Sequence, residues 1–337
     1  MTAVLFPSSL SQKNMRALVC KQFGPIDDLT IEDLPIPVPG PGKVTINIKA
    51  ASLNFPDALT VQGLYQVKPQ TPFVPGAEFA GVVHALGDGV TNVKVGDRVI
   101  STGRGGFAEY AEADARILMP IPPSMSFEQA AAFVLTYATS LHALKDVGNL
   151  QPGETLLVLG AAGGVGTTAI QLAKLMGATV IAAASTDEKL ALCKSLGADH
   201  CVNYSVADWR DQVTAIVGKK GVEMVYDAVG GPYSEPALRC VGWRGRYLVV
   251  GFAAGEIPKI PLNLALLKER QILGVYWGDS TVADPKGHMA NLMQLAAWFE
   301  SGKIAPSITE TVTLEGTKDA LTRLSSRHAM GKIVVKL

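Results

Sequence analysis

The stretch GAAGGVG, residues 160–166, follows the apolar run TLLVL and precedes TTAIQLAKLMG, which has helical spacing. In a doubly wound sheet, such a strand-to-helix turn directs backbone amides and a helix N-terminus at an anion. We interpret it as a dinucleotide-binding loop rather than a plain turn: Gly163 and Gly164 lack the Cβ atoms that would hold off a pyrophosphate, and Gly166 lets helix and strand pack closely. The residues predicted to contact the cofactor here are Gly160, Ala162, Gly163, Gly164, Val165 and Gly166.

The pattern of predicted secondary structure divides the chain into two parts. Residues 16–115 contain short β-rich runs separated by Gly, Pro and Asp, which predicts a strongly bent antiparallel β domain. Strand-like and helix-like stretches then alternate as far as QILGVYWG, which predicts a parallel sheet with helices on both faces. We expect the tail to return to the β domain. The predicted domains are therefore 1–135 with 279–337, and 136–278, with 1–14 as a flexible extension.

Length and composition limit the classes of function that the protein can have. The 337 residues favour two domains, which usually enclose a cleft, and 30 Lys and Arg balance 30 Asp and Glu. A chain without net charge is a poor partner for nucleic acid or anionic membranes. The sequence has no apolar stretch of spanning length, and its start lacks the features of a secretory or transit peptide. The four cysteines are widely separated, so we expect reduced, buried thiols in a cytoplasmic protein.

The end of the second strand of the parallel sheet favours NADPH over NADH. An NAD-binding sheet usually has an acid there for the ribose 2′-hydroxyl, but this chain has Ala184, followed by Ser185 and, one helical turn later, Lys189. A cation without a carboxylate suits a 2′-phosphate, and Tyr204, after the third strand, offers a hydroxyl. The alternative is that Lys189 is merely solvated and that Asp187 or Glu188 binds the ribose.

Several motifs resemble the medium-chain dehydrogenase/reductase superfamily, in particular its zinc-independent quinone oxidoreductase branch. They are SLNFPDALTVQGLY (52–65), PGAEFAGVV (75–83), VGDRV (95–99), GGFAEYA (105–111), GAAGGVG and GKIVV (331–335). The resemblance extends over nearly the whole chain from Met15, with Gly160 replacing the alanine that opens the branch's nucleotide turn. It implies an α/β protein that joins a GroES-like bent β-barrel catalytic domain to a Rossmann cofactor domain.

The resemblance also implies a metal-free site. Zinc-dependent relatives have a Cys near the start of the first motif and a His between the Gly and Glu of the second, whereas this chain has Asn54 to Asp57 and Ala77. The lobe that holds structural zinc is missing, because only ISTGR separates Val99 from Gly105. Without zinc to acidify an alcohol, we expect a substrate that accepts hydride readily, such as a quinone or an α,β-unsaturated carbonyl.

Two catalytic candidates come from the resemblance. Tyr65 occupies the position of a cleft tyrosine that is proposed, in enoyl-thioester reductases of the superfamily, to donate a proton or a hydrogen bond to the developing oxyanion. The alternative is a wall over the nicotinamide. Asn54 is expected to hydrogen-bond substrate or ribose, and Asp57 to tie down its loop.

The remaining cofactor candidates lie in later segments. The resemblance places Thr136 at the nicotinamide carboxamide, although its hydroxyl could instead bond its own helix. Gly251, Phe252 and Ala253 follow the fifth strand at the carboxyl edge, where ligands bind. GVYWGD is expected to form the last strand and to pair with its twin in a homodimer, with Trp277 at the interface or in the cleft. We expect Lys332 either to reach the cofactor or to lie at the surface, and we expect Asp227 to stabilise a turn.

Two other functions stay open. An enoyl-thioester reductase would need cations for coenzyme A, and the candidates Lys68, Lys259, Lys268 and Arg270 are scattered. A non-catalytic NADPH-binding protein is the second alternative, because folds are reused for such roles.

Overall fold

The computed structural model describes residues 13–337, which divide into two compact units. The first, here called the β unit, consists of the described residues up to Ile121 together with Thr311–Thr322 and Val334–Leu337. The second, the α/β unit, consists of Pro122–Glu310 and Arg323–Ile333. Most of the predicted flexible extension lies outside the described residues, and Asn14 begins the first strand.

The β unit is built mainly from antiparallel strands. Its elements are β1 (Asn14–Val19), β2 (Thr30–Pro35), β3 (Lys43–Ser52), α1 (Phe55–Val61), β4 (Phe79–Leu86), β5 (Arg98–Ser101), β6 (Tyr110–Asp114) and β7 (Met119–Pro120). β1 pairs with β2, while β3 pairs with both β4 and β6 and β5 pairs with β4 and β7. Register shifts between β3 and β4 interrupt the ladder and allow the sheet to bend.

The α/β unit alternates strands and helices. Its elements are α2 (Phe127–Ala131), α3 (Val134–Leu141), β8 (Thr155–Leu159), α4 (Gly164–Leu175), β9 (Thr179–Ala184), α5 (Asp187–Ser195), β10 (His200–Asn203), α6 (Trp209–Val217), β11 (Val222–Asp227), α7 (Ser234–Cys240), β12 (Val241–Val249), α8 (Asn263–Leu266), β13 (Gln271–Gly274), α9 (Trp277–Ala283) and α10 (Pro285–Glu300). The tail adds β14 (Ile308–Val312), α11 (Thr317–Ser325) and β15 (Lys332–Lys336), which cross the boundary between the units.

The predicted parallel sheet is present, with strand order β10-β9-β8-β11-β12-β13. All of its pairings are parallel, and the order is that of a doubly wound dinucleotide-binding sheet. Strand residues such as Leu157, Ile181 and Val225 are fully buried, since helices cover both faces. The carboxyl ends of β8, β9, β11 and β12 therefore share one edge, where the candidate nucleotide residues lie.

The compact units differ from the predicted domain ranges at two places. The helix in 279–302 was expected in the β domain, but α10 packs within the α/β unit: Lys145 Nζ donates to Asn291 Oδ1 at 2.8 Å, and the rings of Phe133 and Phe299 lie 5.6 Å apart. The unit begins at Pro122, whereas the predicted domain began at 136. The tail does contribute to the β unit, through Thr311–Thr322 and Val334–Leu337.

The cysteines lie mostly within the packed interior. Cys20, Cys193 and Cys240 are buried, Cys201 is half-buried, and all four are free thiols. Burial raises the pKa of Cys193 to about 12, which keeps the thiol protonated and unreactive. Among residues 13–337, no helix has the length and apolar character that crossing a bilayer requires.

Candidate functional site

The glycine turn leads from β8 into α4 with little side-chain cover. Gly160 has φ +66°, a conformation that favours glycine over the alanine of the related motif. A Cβ on Gly166 would lie 2.3 Å from the carbonyl oxygen of Gly160, so only glycine allows this approach of helix to strand. Gly163 occupies the N-cap position of α4, and no side chain of the described residues caps the helix. Its first N–H groups are thus available to an anion.

Two predicted residues border Gly164. A Cβ there would lie 3.2 Å from Lys332 Cδ and 3.3 Å from Thr136 Cγ2. Lys332 is only 3% exposed, so the interpretation as a surface lysine is wrong. The segment is anchored by the N–H of Gly331, which donates to the carbonyl of Ala162 at 2.7 Å. A lysine buried beside an uncapped helix N-terminus adds positive charge where an anion would bind.

The Thr136 hydroxyl bonds to the backbone of its own helical segment, which was the alternative to a contact with the nicotinamide. Its hydroxyl donates to the carbonyl of Ala132 at 3.4 Å, while its own carbonyl accepts from Thr168 at 3.2 Å. The side chain lies beside the glycine turn, where it contributes shape through Cγ2.

The carboxyl end of β9 brings Lys189 next to Arg327, and Ala184 occupies the position of the expected acid. Ala184 is buried, and Lys189 Nζ lies 3.4 Å from Ser185 Oγ and donates to the backbone carbonyl of Arg327 at 2.7 Å. Burial, and then the charge of Arg327, lowers the pKa of Lys189. Lys189 is half-buried rather than merely solvated, whereas both acids of the alternative interpretation, Asp187 and Glu188, are exposed. Arg327 was missed from sequence because it is 138 residues away.

Tyr204 completes this end of the site. Its backbone N–H donates to the carbonyl of Ala184 at 3.0 Å, and its ring lies 4.6 Å from that of Tyr233. Burial raises the pKa of Tyr204 to about 12, so the phenol stays protonated and can donate a hydrogen bond.

Asp227, at the end of β11, holds its turn as predicted. One carboxylate oxygen accepts the N–H groups of Val229 and Gly230 at 2.8 and 2.9 Å. The other accepts the hydroxyls of Ser234, at 2.7 Å, and Tyr247. Asp227 is 3% exposed, and this network gives the buried charge four donors.

The same turn supports the predicted segment after β12. The carbonyl of Asp227 accepts the N–H of Gly251 at 3.2 Å, and that of Ala228 accepts the N–H of Ala253 at 3.2 Å. A Cβ on Gly230 would lie 2.8 Å from Phe252 Cδ1, so the aromatic ring packs against bare backbone. Gly251, Phe252 and Ala253 are half-exposed at the carboxyl edge.

The prediction that GVYWGD forms the last strand is wrong. β13 ends at Gly274, and Trp277 is the first residue of α9, where Asp279 lies in the first turn. An acid there favours a helix start. The Trp277 ring makes an edge contact with His288 at 5.7 Å, and its buried Nε1 has no hydrogen-bond partner among the described residues.

The catalytic candidates belong to the β unit. Asp57 accepts the N–H of Asn54 at 2.8 Å and that of Ala77 at 2.9 Å, as expected of a residue that ties down its loop. The Asn54 amide lies 3.5 Å from Glu78 Oε2, which also accepts the Ser52 hydroxyl at 2.9 Å. All four of these polar side chains are buried.

Tyr65 lies in the turn that follows α1 and is half-buried. The neighbouring Leu64 and Val67 are exposed, at 68% and 54%, so the ring stands on an apolar loop. Among residues 13–337, no three His, Cys, Asp or Glu side chains are grouped as metal ligands.

Two known protein families match this chain. The alcohol dehydrogenase GroES-like domain family matches residues 40–123, and the zinc-binding dehydrogenase family matches residues 164–298. Quinone oxidoreductase-like protein 2 of Bos taurus is 40% identical over 96% of this chain and 93% of its own length.

Two solved structures are similarly close. A mycobacterial protein complexed with NADPH has TM-score 0.90 and 30% identity, covering 96% of this chain and 100% of its own. A Pseudomonas syringae quinone oxidoreductase has TM-score 0.89 and 33% identity with the same coverage.

A GroES-like β unit and a Rossmann sheet in one chain define the alcohol-dehydrogenase type of oxidoreductase, and the predicted fold class is confirmed. Within that type, the chain belongs to the medium-chain dehydrogenase/reductase superfamily, in its zinc-independent quinone oxidoreductase branch.

Proposed function

We propose that this protein is an NADPH-dependent reductase that transfers hydride to a quinone or an α,β-unsaturated carbonyl. The observation that carries the proposal is the end of β9, where Lys189 and Arg327 lie together and Ala184 replaces the expected acid. Because both cations repel each other before a ligand arrives, a 2′-phosphate would relieve that repulsion. NADH offers no such charge.

The rest of the α/β unit fits the same nucleotide. The uncapped start of α4 and the buried Lys332 suit the pyrophosphate, and the half-exposed Phe252 and Ala253 suit the nicotinamide ribose. Bound NADPH supplies the hydride; the protein's residues bind, orient and exclude water. Similarity to the mycobacterial protein complexed with NADPH supports this assignment.

In the β unit, we assign Tyr65 to the developing oxyanion of the substrate and Asn54 to hydrogen bonding of substrate or ribose. A phenol is a neutral donor that needs no metal to act, and it stabilises negative charge as that charge forms. The exposed Leu64 and Val67 on the same loop favour an apolar acceptor. Asp57 and Glu78 hold the Asn54 loop through the hydrogen bonds described above.

Two of the four candidate cations of the enoyl-thioester alternative, Arg270 and Lys268, do not support it. Arg270 donates to the backbone carbonyls of Val241 and Leu264, at 2.8 Å in each case. Lys268 lies near the amino ends of β11 and β12, opposite the edge where the nucleotide residues lie. Neither side chain is therefore placed for the phosphates of coenzyme A.

The function is tested by following NADPH absorbance with one simple quinone, one alkenal and one short enoyl-CoA. We expect oxidation with the quinone or the alkenal and little with the thioester. Oxidation with the thioester alone would favour the enoyl-thioester reductase. Tight NADPH binding without oxidation of any acceptor would point to a non-catalytic protein.

We further propose a homodimer formed through the edge strand β13, in the cytoplasm as the sequence suggests. Ile272 on that strand is 41% exposed, and the neighbouring Leu266 and Val282 are 77% and 82% exposed, which is costly for an isolated subunit. Ile272→Lys should yield monomers in sedimentation velocity. Val38→Lys, at an apolar position of the β unit that is 79% exposed, is the control, and a dimer in both variants would contradict the assignment.

A further inference from the structure

Trp243 is the most exposed aromatic side chain of the described residues, and the backbone around it is built to hold it out. It is 62% exposed and belongs to the excursion Gly242–Gly245, where β12 has four residues opposite the single Glu223 of β11. A Cβ on Gly242 would lie 2.3 Å from the carbonyl of Lys220, so glycine is needed for this path. Bulges of this kind redirect a side chain out of its ladder.

The next residue carries backbone strain. Arg244 has φ +55°, which is uncommon for a residue with a side chain. Its N–H donates to the carbonyl of Lys268 at 2.9 Å, and its guanidinium binds Glu269 at 2.6 Å. Glu269 itself has φ +47°. Strained positions stabilised by their surroundings cluster at functional sites, and here they present an indole to solvent.

Trp243 lines two cavities at the amino ends of the strands, and Glu223 lines both as well. One has a volume of about 370 Å³ and lies between Trp243 and Arg246, Glu154 and Gln271. The other, of about 320 Å³, lies between Trp243 and the lysines Lys219, Lys220 and Lys268. A partner that crosses the indole would fill both, while the opposite edge of the sheet stays free for a nucleotide.

The charges at this surface select the partner. Lys220 is paired with Glu223 at 2.5 Å, and Arg244 is paired with Glu269. Within the described part of the chain, neither Lys219 nor Lys268 has an acidic partner. Arg246 is paired with Glu154, so Lys219 and Lys268 are the positive charges of this surface that no carboxylate of residues 13–337 pairs with.

We propose that Trp243 is the centre of a docking surface for an acidic segment of another protein, with one apolar side chain packed on the indole. Tryptophan and arginine dominate the free energy of such interfaces, and the two unpaired lysines supply charge complementarity. The homodimer proposed above uses β13, whose first residue Gln271 lines one of these cavities, so the oligomeric state of the variants is the readout that separates a second copy from an acidic segment. The adjacent Glu154 and Glu223 disfavour nucleic acid because they would repel its phosphates.

The test uses a twelve-residue peptide of Glu and Asp around one central Phe, titrated into the full-length protein and followed by tryptophan fluorescence and calorimetry. We expect saturable binding that weakens as salt rises. Trp243→Ala, and separately the pair Lys219→Glu with Lys268→Glu, should weaken it at least tenfold. Lys194→Glu, an exposed lysine on α5, is the matched control and should leave binding unchanged. Circular dichroism and NADPH affinity should be unaltered in every variant.

Three outcomes would overturn the proposal. The first is equal peptide affinity in wild type and Trp243→Ala. The second is tighter binding of a twelve-nucleotide single-stranded DNA than of the peptide, which would indicate a nucleic-acid surface. The third is a change of oligomeric state in Trp243→Ala, which would indicate a second copy as the occupant. None of these depends on whether the protein reduces quinones.

Discussion

Lys189→Ala tests the cofactor assignment most directly. Lys189 Nζ lies 3.4 Å from Ser185 Oγ and 2.7 Å from the carbonyl of Arg327, at the end of β9. A hydrogen bond to a charged group contributes about 1.5–3 kcal/mol. Because the lysine is only half-buried, solvent screening favours the lower part of that range. With about 1.4 kcal/mol per tenfold change in affinity, we expect NADPH to bind about 10- to 50-fold more weakly.

NADH should lose less than about twofold in the same variant, because it has no 2′-phosphate. Calorimetric titration of both cofactors gives the ratio, with Lys194→Ala on the same helix as the matched control. If NADPH and NADH weakened equally, or if neither changed, Lys189 would have no part in phosphate recognition and the preference for NADPH would lose its basis.

The pH dependence of NADPH binding follows from the contacts of Lys189. Burial and the charge of Arg327 lower the pKa of Lys189 in the free protein, and a bound phosphate would raise it, since it favours the charged form. The lysine's contribution to NADPH binding is therefore complete below the free pKa and lost as pH rises through the bound pKa. In Lys189→Arg, whose guanidinium stays charged, NADPH affinity should persist to higher pH. Superimposable pH profiles of the two proteins would contradict this reasoning.

Three further variants test other parts of the site. Lys332→Met should weaken NADPH and NADH alike, by about tenfold on calorimetry, because the pyrophosphate is common to both; a selective loss of NADPH would contradict this. Gly166→Ala should lower the free energy of unfolding by about 1–3 kcal/mol in urea titrations, because its Cβ would lie 2.3 Å from the carbonyl of Gly160. In Gly278→Ala the new Cβ would lie 3.6 Å from Tyr276 Cε2, an ordinary contact, so this control should be close to neutral, and equal losses in the two variants would refute the packing argument. Tyr65→Phe should slow enone reduction more than quinone reduction, and equal rates would remove its assigned role.

The parallel sheet was predictable because its strands are buried on both faces. TLLVL and TVIAAA read as continuous apolar runs, and each precedes a helix-like stretch. The glycine turn was also predictable from sequence. Gly166 is required because the helix start lies against the backbone of Gly160, which is only six residues earlier in the chain. A contact between residues close in sequence can therefore be predicted from a short motif.

Trp277 and α10 were misjudged for the opposite reason. VYW has strong strand propensity, but Asp279 in the following turn belongs to a helix that begins at Trp277. The unit to which α10 belongs is decided by Asn291, which donates to Asp146 Oδ2 at 2.8 Å. That contact joins residues far apart in sequence, so hydrophobic spacing could not reveal it.

The candidate nucleotide site includes a part of the chain that we expected in the other domain. Gly331 donates to the carbonyl of Ala162 in the glycine turn, Lys332 borders the start of α4, and the carbonyl of Arg327 accepts from Lys189, so one short return segment contacts both proposed ends of the nucleotide site. The predicted range 136–278 therefore contains the sheet but lacks two of the three cations. A cation's effect depends on where it lies in space rather than on its distance along the chain, so the sequence could predict a phosphate site here from its local motifs. It could not count the charges that hold it.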